Sequence, residues 1–183
     1  MKKLNAAQLR KTKPTKKELA QIKRNPIILV LDRIIDTYNT GSLFRLADAI
    51  AAEEVYLCGK MEYPPSSRIH KAAVGTEEWV PWKKTSSTVR TVRLLKSRGV
   101  QIIAVEQDPR SIAYTDLGGA SSAYSIHFPC AIVVGAETGG MEKEVLDEAD
   151  IIVEIPMFGV NKSFNVWGSA AVIAYKALES LTS

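Results

Sequence analysis

Cysteine is scarce: Cys58 and Cys130 are the only two in the chain, and neither belongs to a C-x-x-C pair. That excludes a disulfide framework and a thiolate zinc site. It leaves two reduced thiols, each set among apolar residues and read as half-buried in a cytosolic protein. Histidine is equally rare, with only His70 and His127, which argues against a metal centre. Long hydrophobic runs are missing too. Runs such as Ile27–Leu31 and Ala131–Val134 fall far short of the roughly 20 residues a membrane span needs. The charged start of the chain has no apolar h-region, so no secretory signal is visible and a cytoplasmic protein is expected. What is present is ordinary: 46% hydrophobic and 24% charged residues over 183 positions. This is one globular domain's worth of chain, long enough to bury a core without disulfide or metal.

Charge is unevenly placed. Residues 1–25 carry nine basic side chains and one acid, Glu18, whereas the remainder carries 15 basic and 19 acidic residues. A basic arm on a mildly acidic body suits a polyanionic partner, usually nucleic acid; a solvated leader is the plainer reading. We therefore divide the chain into an arm or short helix, 1–25, and a single domain, 26–183. Within the arm, Thr15-Lys-Lys-Glu18 is a capping-box pattern that starts a helix near Lys16.

Beyond the arm, buried-type strands alternate with helices. Apolar runs predict strands at 27–31, 54–58, 101–105, 130–134 and 151–155. Apolar recurrence at three and four residues predicts helices at 42–52, 87–97 and 163–181, with a short one at 142–147. Residues 60–85 read as irregular apart from a short helix at 68–74. The pattern is α/β with a mainly parallel sheet flanked by helices.

Three clusters fall at ends of predicted strands, where open parallel sheets bind ligands. The first is Asp36-Thr-Tyr-Asn-Thr-Gly-Ser-Leu-Phe-Arg45. Asn39 can cap the helix, Gly41 allows close backbone approach, and Arg45 offers a rigid guanidinium fork for phosphate or carboxylate. The second is Gly135-Ala-Glu-Thr-Gly-Gly140, a turn able to cradle a ligand through backbone N–H groups. It is neither a dinucleotide fingerprint nor a phosphate loop, and capping is the bland role for Glu137. The third runs from Ile155-Pro-Met157 to Ser163-Phe-Asn165. Helix capping accounts for one of Ser163 and Asn165, not for both with a glycine and a lysine beside them. His70 reads as part of a basic surface segment without a patterned acid partner. Trp79 and Trp82 read as packing residues rather than base-stacking ones.

Taken in order, the clusters resemble the motifs of the SpoU (TrmH-like) branch of the SPOUT RNA methyltransferases. Asn39-Thr-Gly41-Ser-Leu-Phe-Arg45 matches an Asn-x-Gly-x-x-x-Arg motif. Gly135-Ala-Glu137-Thr-Gly-Gly140 followed by Ile155-Pro156-Met157 matches the second, and Ser163-Phe164-Asn165 the third. The resemblance spans about residues 26–181. Departures are Phe164 for the usual leucine, Ala136 where Asn is commoner, and the bulky Trp167.

The resemblance implies a C-terminal trefoil knot, a feature that topology rules alone would disfavour. It implies S-adenosyl-L-methionine as cofactor, transfer of its methyl group to an RNA ribose 2′-hydroxyl, no metal, and a homodimer packed through the knotted region. By the same resemblance Arg45, Asn39, Ser163 and Asn165 form the catalytic set. Val134, Gly135, Glu137, Gly140, Ile155 and Met157, with Ser163 and Asn165, hold the cofactor. The basic leader and Val105-Glu-Gln107 are similar to the branch that modifies the tRNA D-loop guanosine, so tRNA is expected ahead of rRNA. A catalytically silent RNA-binding module is the alternative, and the intact polar set argues against it.

Overall fold

The computed structural model describes Gln8 and residues 13–118 and 123–182. The arm cations Lys2, Lys3, Arg10 and Lys11 lie outside the described residues. Among the described residues seven strands form one sheet: β1 (Asn25–Asp32), β2 (Ala52–Cys58), β3 (Trp82–Thr85), β4 (Gln101–Val105), β5 (Ile112–Ala113), β6 (Cys130–Val134) and β7 (Ile151–Glu154). Their order is β3-β2-β1-β6-β4-β7-β5, and every neighbouring pair runs parallel. The α-helices bounded within the described residues are α1 (Lys16–Ala20), α2 (Thr37–Ala49), α3 (Ser67–Ala73), α4 (Thr88–Ser97), α5 (Lys143–Glu148) and α6 (Val166–Thr182).

The continuous apolar runs arise because the central strands are covered on both faces. Ile27, Leu29 and Leu31 point to one side, where they pack with Leu43, Phe44 and Ala47 of α2 and Ile173 and Ala177 of α6. Ile28 and Val30 point to the other, against Val92 and Leu95 of α4 and Val145 and Leu146 of α5. Both cysteines are fully buried rather than half-buried, and both are free. Burial pushes the Cys130 thiol up to about 12 and raises that of Cys58, because a thiolate would be desolvated there.

Several boundaries differ from the sequence expectation for local reasons. The α2 helix begins at Thr37, five residues before the expected Ser42, because Asp36 caps it: its side chain accepts from Tyr38 N at 2.8 Å. Asn39 is therefore inside the helix and not its cap. The α6 helix begins at Val166 and not at Ser163, because Asn165 Oδ1 accepts from Trp167 N at 3.0 Å and its carbonyl from Ser169 N at 2.9 Å. Ser163 precedes the helix. Two strands were not expected. β3 is a half-exposed, charged edge strand, and β5 has only two residues, so neither carries an apolar run.

The arm's capping box is present, with Thr15 and Glu18 bonded reciprocally. Arg24 is an anchor rather than a free cation: its guanidinium donates to Ala52 O at 2.9 Å and Trp79 O at 3.2 Å. Trp79 Nε1 donates to Asp48 at 2.7 Å, and Trp82 meets Phe44 edge-on at 6.3 Å, so both indoles pack as expected.

Candidate functional site

The parallel strands all present their carboxyl ends to the same edge of the sheet. A cleft of about 470 Å³ opens there beyond three adjacent strands, lined by Val105 to Gln107 after β4, Val134 to Glu137 after β6, and Glu154 and Ile155 after β7. Its outer wall comes from the segment leading into α6, including Asn161, Ser163, Phe164 and Asn165.

The glycine-rich turn owes its shape to positions no side chain would occupy easily. Gly140 has φ +61°, and a Cβ there would lie 2.6 Å from Glu106 Oε2. That carboxylate accepts from Met141 N at 3.0 Å, which ties the turn to the end of β4. Arg33, itself left-handed at φ 54°, holds the turn from the other side. Its guanidinium donates to Gly140 O at 3.3 Å, pairs with Glu142 at 2.8 Å, and grips the buried Asp32 at 3.0 Å.

Three motif segments distant in sequence meet at the rim. Glu137 Oε1 accepts from Asn39 Nδ2 at 2.7 Å and from Asp36 N at 3.2 Å, while its Oε2 accepts from Ile35 N at 2.9 Å. Asn39 Oδ1 in turn accepts from Asn165 Nδ2 at 3.1 Å. Burial works to raise the Glu137 pKa, but the Asn39 amide and the backbone N–H donors outweigh it and hold the carboxyl below its ordinary range. A carboxylate at the start of α2 also meets the positive end of the helix dipole.

Gly41 does permit close approach, and the neighbour is α3: a Cβ would lie 2.5 Å from Ala72 Cβ and 2.8 Å from Ile69 O. Phe164, the departure from the usual leucine, lies over Gly168, where a Cβ would fall 2.8 Å from its ring.

Of the expected cofactor residues, Val134, Gly135, Glu137, Gly140, Ile155, Ser163 and Asn165 line the cleft, and Met157 does not. Asn39 is buried behind the rim, and Arg45 is exposed further along α2. Six residues separate them, which is about 9 Å along the axis and a third of a turn in azimuth. Asn39 thus bonds to Glu137 and Asn165 and not to Arg45. Glu154 and Ser169 line the cleft without having been singled out, Glu106 and Asn161 line it from segments that were quoted without giving either residue a role, and Arg33 was missed altogether. The acid that sequence reading did not find for His70 is Glu77, whose Oε1 lies 2.6 Å from Nδ1.

The fold and the cleft define a class: an α/β protein with a cleft beyond the carboxyl ends of a wholly parallel sheet. Within it, the chain belongs to the SpoU rRNA Methylase family, whose family model matches residues 26–175. Membership implies the trefoil knot; the strand order is what the structure itself displays.

The chain is 33% identical over 157 residues to the 23S rRNA (guanosine-2′-O-)-methyltransferase RlmB of Neisseria meningitidis, covering 85% of this chain and 59% of that one. It thus spans about three fifths of the length of the curated relatives it matches. In fold it is similar to the AdoMet-bound rRNA methyltransferase of Sinorhizobium meliloti, with TM-score 0.77 and 24% identity, covering 96% of this chain and 61% of that one. It is also similar to the A. aeolicus TrmH/SpoU tRNA modifying enzyme, with TM-score 0.76 and 24% identity over 97% and 82% of the two chains.

Proposed function

We propose that this chain is the methyltransferase unit of an S-adenosyl-L-methionine-dependent RNA ribose 2′-O-methyltransferase. The observation that carries the reading is the relay Asn165–Asn39–Glu137, which joins all three motif segments at the rim of the cleft. Family membership and the AdoMet-bound fold relative support it.

The cleft suits that cofactor. Its volume is that of a small-molecule site. Backbone at Val134, Gly135 and Ile155 is available to an adenosine, and Ser163 and Ser169 offer hydroxyls. Three carboxylates, Glu106, Glu137 and Glu154, line it, which complements a ligand bearing sulfonium and ammonium charges. When bound, the cofactor supplies an already activated methyl group, so no covalent enzyme intermediate is needed.

The chain's own residues then have two tasks. One is alignment of the ribose oxygen with the methyl carbon, worth roughly 7–11 kcal/mol of barrier in favourable cases. The relay serves this by locking the α2 start, the glycine turn and the α6 approach into one frame. The other is easing proton loss from a weakly acidic hydroxyl. A guanidinium is a poor base but a strong fixed cation, so Arg45 acts by stabilising the developing alkoxide. Its exposed position, with no hydrogen bond to another described residue, leaves the fork available to RNA.

The relatives' names do not favour the expected tRNA over rRNA, although the A. aeolicus fold relative acts by name on tRNA. The Neisseria relative acts by name on 23S rRNA, so rRNA stands at least level with tRNA. A homodimer belongs to the same reading: Phe158 and Val160 are fully exposed and Trp167 and Tyr175 half-exposed along the α6 approach and helix. Among the described residues no helix is long and apolar enough to cross a membrane, and a cytoplasmic enzyme is the reading we attach to that.

Transfer of labelled methyl groups to bulk rRNA and tRNA, followed by nucleoside mapping, tests the proposal. A 2′-O-methylnucleoside is expected. Cofactor binding by folded protein without transfer to either RNA would favour the silent RNA-binding module.

A further inference from the structure

Outside the cleft, a second group of chemistry-bearing side chains has no part in the proposed reaction. His70 lies on α3, and Glu77 and Glu78 lie in the 3₁₀ turn Thr76–Glu78 that follows. Val74 and Gly75, both left-handed at φ 58° and φ 90°, fold that turn back against the helix. His70 Nδ1 is then 2.6 Å from Glu77 Oε1 and 3.7 Å from Glu78 Oε1. The three residues share a pocket with Ser66 and Trp82, and their ligating atoms lie within 4.8 Å of one another.

The imidazole does not complete this arrangement. The Glu77 side chain is only 6% exposed, yet its Oε2 has no hydrogen-bond partner among the described residues. Buried carboxylate oxygens without a partner are costly and rare. Glu78 Oε1 is too far from Nδ1 to hydrogen-bond and has the spacing of two ligands on one ion: atoms about 2.1 Å from a tetrahedral zinc lie about 3.4 Å apart. One imidazole and two carboxylates, with room for water, form the donor set of a borderline divalent cation.

We propose that His70, Glu77 and Glu78 bind a divalent cation of the zinc class, which clasps the 3₁₀ turn to α3. The ion displaces the Nδ1 proton and supplies the partner that Glu77 Oε2 lacks. A small rotation of Glu77 replaces the direct contact with His70 by two bonds to the metal. Lys13 Nζ, 2.5 Å from Glu78 Oε2, is the competing cation. His-x6-Glu-Glu matches no standard metal spacing, so the sequence pointed away from this site.

Titrating the chelator-stripped full chain with Zn2+ by calorimetry, and with Co2+ by visible absorption, tests the inference without methyl transfer as a readout. One ion per chain is expected, with a ligand-field band for cobalt. His70→Ala and Glu78→Gln, both at exposed positions, should each weaken Zn2+ binding at least about tenfold. Lys13→Ala should tighten it, and His127→Ala should leave it unchanged. Absence of binding by the folded full chain would overturn the site. So would equal binding by His70→Ala and Glu78→Gln, or loss of binding in His127→Ala.

Discussion

Asn39 and Glu137 stand 98 positions apart in the chain and 2.7 Å apart in the fold. Their contact turns two separate sequence motifs into one piece of structure, because Glu137 also accepts from Ile35 N and Asp36 N at the start of the same helix. Glu137→Gln should therefore loosen the frame. An amide offers one acceptor oxygen where three donors converge, so a loss of about 1–2 kcal/mol is expected from denaturant unfolding. The effect should depend on pH. The native carboxyl is held below its ordinary range, so its contribution is present above the unfolded pKa and lost as pH falls through the lower native value. Melting curves in acid should show a shallower decline for the variant; parallel declines would mean the relay carries no charge-linked stability.

Arg45→Ala is expected to abolish methyl transfer, to leave cofactor affinity within a few-fold, and to leave the melting temperature unchanged. The side chain is exposed, makes no hydrogen bond among the described residues, and lies apart from the cleft lining. Arg45→Lys should rescue little, since a point ammonium does not reproduce a planar fork. Turnover close to that of the unaltered chain in either variant would remove Arg45 from the reaction.

Cys58 and Cys130 should resist thiol reagents until the chain unfolds. Each is fully buried, and burial holds the Cys130 thiol up to about 12. An unfolded thiol ionises near 9.0, so native stability is complete below that value and declines as pH rises from there toward about 12. Reaction of either thiol in native protein at neutral pH, faster than global unfolding, would contradict this burial.

Phe158→Glu and Val160→Glu should convert a dimer to monomer in sedimentation at micromolar concentration. Both side chains are wholly exposed in the isolated chain, next to the approach to α6. Glutamate in an apolar interface is desolvated without a partner. An unaltered chain that sediments as a monomer would refute the dimer.

Removing residues 1–12 deletes Lys2, Lys3, Arg10 and Lys11 while sparing the Arg24 anchor. RNA affinity should fall, and the slope of log K against log salt should flatten by roughly 0.7–0.9 for each phosphate that the protein no longer neutralises. Cofactor affinity should hold. Arg24→Ala should instead lower the melting temperature, because two backbone carbonyls are deprived of a part-buried donor. Unchanged affinity and slope after truncation would mean the arm does not touch RNA.

Local sequence chemistry determined much of this protein. Apolar runs at 101–105 and 130–134 became strands with those same bounds, since a strand covered on both faces must be apolar throughout. The capping box at Thr15 was equally legible, because it is settled within a few residues. The motif residues Asn39, Glu137 and Asn165 could be named from the resemblance to the family's motifs. Their roles could not, since a short polar side chain near a helix start reads as a cap. Only the fold decided that Asp36 caps α2, and that Asn39 is buried to receive Glu137 on one side and Asn165 on the other. Arg33 and the pairing of His70 with Glu77 carry no local signal at all. Their partners come from strand order, from left-handed turns and from register across the sheet. These long-range geometries depend on how whole elements pack, which no short window of sequence contains.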